Sequence, residues 1–252
     1  MADDTALADL RARLARAASV CVLTGAGMSA ESGIPTFRDA LTGLWTRFDP
    51  MQLASEEGFR ADPALVWSWY AERRDSVRAA QPNAGLLALA AFERARPGVL
   101  TLVSQNVDEL HQRAGNSDTI RLHGDILADR WLEPCPRRGA RCDPAGAVSG
   151  TPPRCADCNN LVRPGVVWFG ENLPVDALDA AEAAAARCEV MLVVGTSGAV
   201  WPAAGLAALA RRGGAFVAIV NPHSSEIDAE AHVRIAGTAA GVLPQVLAMP
   251  PG

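Results

Sequence analysis

Three short apolar stretches of this chain each break into a Gly-rich or polar turn, and few folds accommodate that pattern. They are SVCVLTGAGMSA (19–30), GVLTLVSQNVD (98–108) and CEVMLVVGTSG (188–198). Each is long enough for a buried strand and too short for a buried helix. Helical stretches separate them. Residues 4–17 are amphipathic, and 62–80 opens with Asp62 placed as N-cap and Pro63 as first residue. Residues 84–95 and 202–212 also read as helices, and 118–124, 215–222 and 231–237 as strands before a short last helix. Apolar strands alternating with helices predict an α/β fold, a Rossmann-like doubly wound parallel sheet. In such a sheet ligands bind beyond the carboxyl ends of the strands, where TGAG, SQNVD and VGTS fall. Two segments, 36–80 and 125–165, interrupt the alternation. We expect them to form a smaller inserted domain, helical in its first part and Cys-bearing in its second. Residues 1–35, 81–124 and 166–252 would form the larger one.

Composition narrows the function. A formal net charge of −5 argues against a nucleic-acid binder. No apolar run reaches the roughly 18 residues of a membrane helix. The start MADDTALADL is acidic and lacks the basic, apolar pattern of a signal peptide, so the cytoplasm is the expected location. All 23 basic residues are Arg, so the chain carries no lysine that could be acylated. Of its six Cys, four fall between 135 and 158, a cluster that suggests a metal site more than disulfides. Cys21 and Cys188 lie in strand-like runs and read as core residues.

The first turn, GAGMSA (25–30), fits the dinucleotide pattern G-x-G-x-x-A. Gly25 would permit the tight turn, and Gly27 would let a pyrophosphate approach the backbone. The acidic residue that a dehydrogenase carries about 20 positions later is not suitably placed. The chain runs instead into ESGIPTFRD.

Five motifs then follow in order: GAGMSAESGIPTFR (25–38), QNVDELHQRAG (105–115), LHG (122–124), RPGVVWFGE (163–171) and VVGTS (193–197). Together they resemble the sirtuin family of NAD-dependent protein lysine deacylases over nearly the whole chain. The resemblance implies NAD as co-substrate and His123 as catalytic base, with Asn106 and Asp108 beside it. In that family the acyl oxygen attacks the ribose carbon as nicotinamide leaves, and the base then activates a ribose hydroxyl. The products are free lysine, nicotinamide and O-acyl-ADP-ribose. NAD contacts are implied for Gly25, Ala26, Gly27, Ser29, Ala30, Ile34, Phe37 and Arg38. They are also implied for Gln105, Asn106, Asp108, Gly195, Thr196, Ser197, Asn221 and Ala239. An imidazole suits proton transfer near neutrality, a carboxylate can accept from a carboxamide, and Arg38 could pair with phosphate. His111 reads as structural, and His223 and His232 carry no signal.

The segment Val167, Trp168, Phe169, Gly170 and Glu171 matches the strand that pairs with substrate backbone and lines the acyl-lysine tunnel; a plain core strand fits the same letters. Structural zinc is implied on Cys135, Cys142, Cys155 and Cys158. Only the second pair has the usual C-x2-C spacing, so a site without metal stays open. One branch of the family, the desuccinylases and demalonylases, carries Tyr-x-x-Arg in the small domain, here Tyr70 and Arg73, with Ala54 as the small residue opening the acyl pocket. An acyl chain ending in a carboxylate needs such an Arg inside an apolar tunnel. The bland alternative makes Tyr70 core and Arg73 a solvated helix residue. The expected partners are acylated-lysine proteins, with no nucleic acid, no membrane and a monomeric chain. A general deacetylase, an ADP-ribosyltransferase and a silent NAD-binding module are the competing functions.

Overall fold

A computed structural model describes residues 4–35, 49–134 and 144–248. Its centre is a parallel sheet of six strands in the order β3-β2-β1-β6-β7-β8. These are β1 (Val20–Thr24), β2 (Leu100–Ser104), β3 (Thr119–Arg121), β6 (Val190–Val194), β7 (Phe216–Val220) and β8 (Val233–Ile235). The order reverses between β1 and β6, which makes their carboxyl ends the switch point of the sheet.

The inner strands β1, β6 and β7 are apolar on both sides because both faces are covered. Val20, Val22, Leu192 and Val194 pack with helices α1 (Asp4–Arg16), α6 (Ala84–Ala95) and α10 (Ala239–Val246). Cys21, Leu23, Met191 and Val193 face the other way, onto α8 (Val175–Arg187) and α9 (Gly205–Arg212). Cys21 and Cys188 lie in this second cluster, as core residues.

The helix at 62–80 forms as α5 (Pro63–Ala79), and Asp62 caps it by accepting from Leu65 N at 3.0 Å. The helix expected from 202 starts three residues later, at Gly205, after a turn in which Ala204 N donates to Val200 O. Three features go beyond the sequence expectation. One is α8 itself, an Ala-rich helix. The second is a pair of short helices, α3 (Pro50–Leu53) and α4 (Glu56–Ala61), before α5. The third is an antiparallel pair, β4 (Gly124–Trp131) with β5 (Val162–Val166), whose register shifts between Asp125 and Asp129. Most of β4 is too exposed to show the apolar signature of the central strands.

Arg74 of α5 joins these parts. Its guanidinium donates to Ile126 O at 2.6 Å and Ala128 O at 3.0 Å, and pairs with Asp129 at 2.6 Å. Its neighbour Arg73 has a different environment, over the Trp69 ring. Helix α7 (Leu110–Ala114) ends at Gly115, whose φ of 104° is left-handed.

Candidate active site

Four strand ends converge at the switch point. After β1 comes the turn Gly25–Gly27, and after β6 comes Gly195, with φ of 62°. A Cβ on Gly27 would lie 2.8 Å from Gly195 Cα, and one on Gly25 would lie 2.7 Å from Thr196 Cβ. The two turns are therefore packed backbone to backbone, and Gly27 N donates to Gly195 O at 2.8 Å. This revises the reason for the second glycine: Gly27 is required by the neighbouring turn, whatever ligand lies above it. Ala26 precedes the short helix α2 (Gly27–Ala30), Ser29 and Ile34 are buried, and Ala30 is exposed. Ala239 is buried at the start of α10.

The polar loop after β2 carries the densest network. Gln105 N donates to Thr24 O at 2.9 Å, and its side-chain amide donates to Thr196 Oγ1 at 3.1 Å. Asn221, after β7, donates to Thr196 O at 3.2 Å, while Ser197 is exposed. Asn106 Nδ2 donates to Ser29 Oγ at 3.0 Å, and that hydroxyl donates to Asp108 Oδ2 at 2.8 Å. Asn106, Ser29 and Asp108 are all buried. Gln105, Asn106, Asp108, Ser29, Thr196 and Asn221 are thus brought together from segments far apart in the chain. Arg121, which the sequence reading does not single out, clamps this loop from behind by donating to Val107 O at 2.9 Å and Asp108 O at 3.0 Å.

His123 stands beside this loop at the base of β4. Its Nδ1 is 2.7 Å from Gln105 O. A carbonyl can only accept, so Nδ1 carries the proton and the neutral ring keeps its lone pair on Nε2. Burial lowers the pKa of His123, and the hydrogen bond to Gln105 opposes that shift. The ring is therefore neutral near pH 7, with Nε2 as a base.

His111 is a second buried imidazole, with Nε2 3.0 Å from Thr24 Oγ1. Burial pushes it down to about 4, against the nearby Asp108 charge. Its Nδ1 and the Asn116 Oδ1 are each buried without a hydrogen bond to any described residue, and the neighbouring Asn116 side chain favours the charged ring. In the unfolded chain His111 takes up a proton below about 6.5. The folded protein does so only near 4, so stability is full above 6.5 and falls as pH drops from 6.5 toward 4. The loss attributable to this ring is on the order of 3 kcal/mol. Urea unfolding of wild type and His111→Gln at pH 7 and pH 4.5 measures it. An equal acid loss in both proteins would refute the assignment.

The candidate acyl pocket lies where α5 meets the segment after β5. Tyr70 is buried, and its Oη accepts from Trp168 Nε1 at 3.0 Å. Burial pushes its hydroxyl up to about 12, although the Trp168 hydrogen bond and the Arg73 charge pull the other way. The phenol is therefore neutral, with a proton to donate. Arg73 Nη1 is buried and meets no hydrogen-bond acceptor among the described residues. The guanidinium carbon sits 5.0 Å from the Trp69 ring centre, and burial works against its charge while Tyr70 and Asp108 favour it. Ala54 is buried, and its carbonyl accepts from Phe169 N at 2.9 Å.

Val167 N donates to His123 O at 2.9 Å, so the segment carrying Trp168 is anchored to the candidate base. Trp168 is buried and Phe169 is exposed, followed by Gly170 with φ of 85°. Glu171 is engaged within the protein, paired with Arg163 at 2.5 Å and Arg130 at 2.7 Å and accepting from Trp168 N at 2.8 Å.

Phe37, Arg38, Cys135 and Cys142 lie outside the described residues. Cys155 and Cys158 lie on one turn, where the backbone N–H groups of Cys158 and then Asp157 lower the Cys155 thiol. Among the described residues no three His, Cys, Asp or Glu side chains group to hold a metal, and no helix is long and apolar enough to cross a membrane.

Known proteins place this geometry. The Sir2 family profile matches residues 25–202. A protein of Ralstonia nicotianae named NAD-dependent protein deacylase is 53% identical over 98% of this chain and 98% of its own. A crystal structure described as a Sir2 homolog–NAD complex superposes with a TM-score of 0.84 at 41% identity, covering 95% of this chain and 92% of that one. Sir2Tm bound to a propionylated peptide gives a TM-score of 0.80 at 30% identity, covering 96% and 97%. The chain belongs to the Sir2 family.

Proposed function

We propose that this protein is an NAD-dependent lysine deacylase that prefers acyl groups ending in a carboxylate, succinyl and malonyl. The observation that carries the preference is the buried, unpartnered Nη1 of Arg73 beside the neutral Tyr70 hydroxyl. A buried guanidinium N–H without an acceptor is costly in a protein interior. A ligand carboxylate would take its donor, and the phenol would supply a second hydrogen bond. An acetyl group offers neither. The propionylated-peptide complex of a relative supports an acyl-lysine substrate.

The buried polar floor suits NAD: two Gly turns pack backbone to backbone at the switch point, and Ser29, Asn106 and Asp108 stand ready to bond a carboxamide or ribose hydroxyl. When bound, NAD supplies the ribose carbon that accepts the acyl oxygen as nicotinamide leaves. His123 Nε2 then takes the proton of a ribose hydroxyl, while its Nδ1–H stays on Gln105 O. Asn106 and Asp108 are oriented for their task by Ser29. Gln105, Thr196 and Asn221 form one hydrogen-bonded edge of the cradle.

We also infer that Cys155 and Cys158, with Cys135 and Cys142, hold a structural zinc. The lowered Cys155 thiol fits a thiolate ligand, and four thiolates leave no open position for catalysis. Metal analysis of the purified chain should find one zinc, lost in Cys158→Ser.

Succinyl- and acetyl-lysine peptides of one sequence, offered together with NAD, test the main proposal. Mass spectrometry should find O-acyl-ADP-ribose and a higher kcat/KM for the succinyl peptide. Equal values would leave a general deacylase, and ADP-ribose on a protein would indicate transferase chemistry.

A further inference from the structure

Arg163 lies on β5 and is only 1% exposed. The proposed mechanism does not use it, and it is too far from Arg73 in the chain for sequence spacing to relate them. Its guanidinium carbon sits 3.3 Å from the centre of the Trp168 ring. Its two terminal nitrogens reach the Glu171 carboxylate at 2.5 and 3.1 Å, and one also donates to Val166 O at 3.0 Å. Glu171 in turn accepts from the Trp168 backbone N–H. Trp168 is therefore held twice, by its ring from Arg163 and by its backbone from Glu171. Phe59 packs near the same ring, with centres 5.2 Å apart. The indole N–H projects from this clamp and donates to Tyr70 Oη.

That last bond matters for direction. A phenol oxygen that accepts from the indole has its own proton left for another acceptor, and among the described residues Tyr70 donates to none. The geometry points to Arg163 as a positioning residue for acyl selectivity, acting through Trp168 to aim the Tyr70 hydroxyl at the carboxylate of the acyl chain. This deepens the carboxylate-clamp reading and rests on it. Arg is suited to the position because only its planar fork can pair in bidentate fashion with Glu171 and lie flat on the indole at once. A Lys would keep the charge and lose both geometries.

The test uses the full chain with NAD and matched succinyl and acetyl peptides. In Arg163→Lys, the succinyl-to-acetyl ratio of kcat/KM should fall about tenfold, equivalent to one strong hydrogen bond. The loss should appear in KM for the succinyl peptide, with kcat for the acetyl peptide and KM for NAD little changed. A fall in both acyl activities together, with the ratio preserved, would make Arg163 merely structural and overturn the inference. If Arg163→Lys does not fold by circular dichroism, Trp168→Phe removes the indole donor and keeps an aromatic ring; an unchanged ratio there overturns the inference equally. Arg73→Met in parallel separates the two readings. If it leaves the wild-type ratio intact, the clamp itself is wrong; if it collapses the ratio while Arg163→Lys and Trp168→Phe do not, only the positioning role fails.

Discussion

Replacing His123 with Ala should cut deacylation by about 10²- to 10⁴-fold, the range of a lost general base. The expectation comes from the tautomer. Gln105 O can only accept, so Nδ1 is protonated and Nε2 is the free basic nitrogen. Because burial lowers the pKa of the ring, the base form persists to lower pH than for an exposed histidine. The acidic limb of kcat/KM should therefore lie below the usual histidine range, near 6.5. Peptide turnover followed by mass spectrometry from pH 5 to 9 measures both effects. Wild-type turnover in His123→Ala would eliminate the imidazole as the base.

The second large effect is expected at Arg73. Removing one partner of a buried charge pair costs about 2–5 kcal/mol, so Arg73→Met should lower kcat/KM for a succinyl peptide by about 30-fold or more. Met keeps the length and apolar stem of the side chain, so acetyl activity should fall far less. A parallel fall in both activities would mean that the helix, rather than the charge, has been damaged. Arg74 is the natural control for that confusion. It is one residue away, but its Nε and Nη2 already donate to Ile126 O, Ala128 O and Asp129, so its loss should act on stability and leave acyl preference alone.

The pair Arg73 and Arg74 also shows how far the sequence could be read. The spacing of Tyr70 and Arg73 puts them on one face of a helix, and the Asp62–Pro63 start of that helix is legible to the residue. The inner strands β2, β1, β6 and β7 are equally legible, because burial on both faces requires continuous apolar letters. The β4–β5 pair is not, since exposure in β4 mixes its pattern. At the site, the Gly and Asn–Asp turns announce themselves by residue type. The link from Glu171 through Trp168 to Tyr70 does not, because it joins residues 98 positions apart in the chain by a single side-chain contact. Letters alone also cannot tell that Gly27 answers to Gly195, since that requirement exists only once two distant turns meet.

The hydrogen bond from His123 ends on the main chain of Gln105, not on its side chain. Mutation at position 105 can change the reach of the amide toward Thr196, but no substitution can delete the carbonyl that fixes the imidazole. The bearing of the base is thus encoded in the path of the backbone as it leaves β2, anchored by Gln105 N on Thr24 O. Genetic drift at this residue could retune the contact with Thr196 and still leave the imidazole pointed the same way.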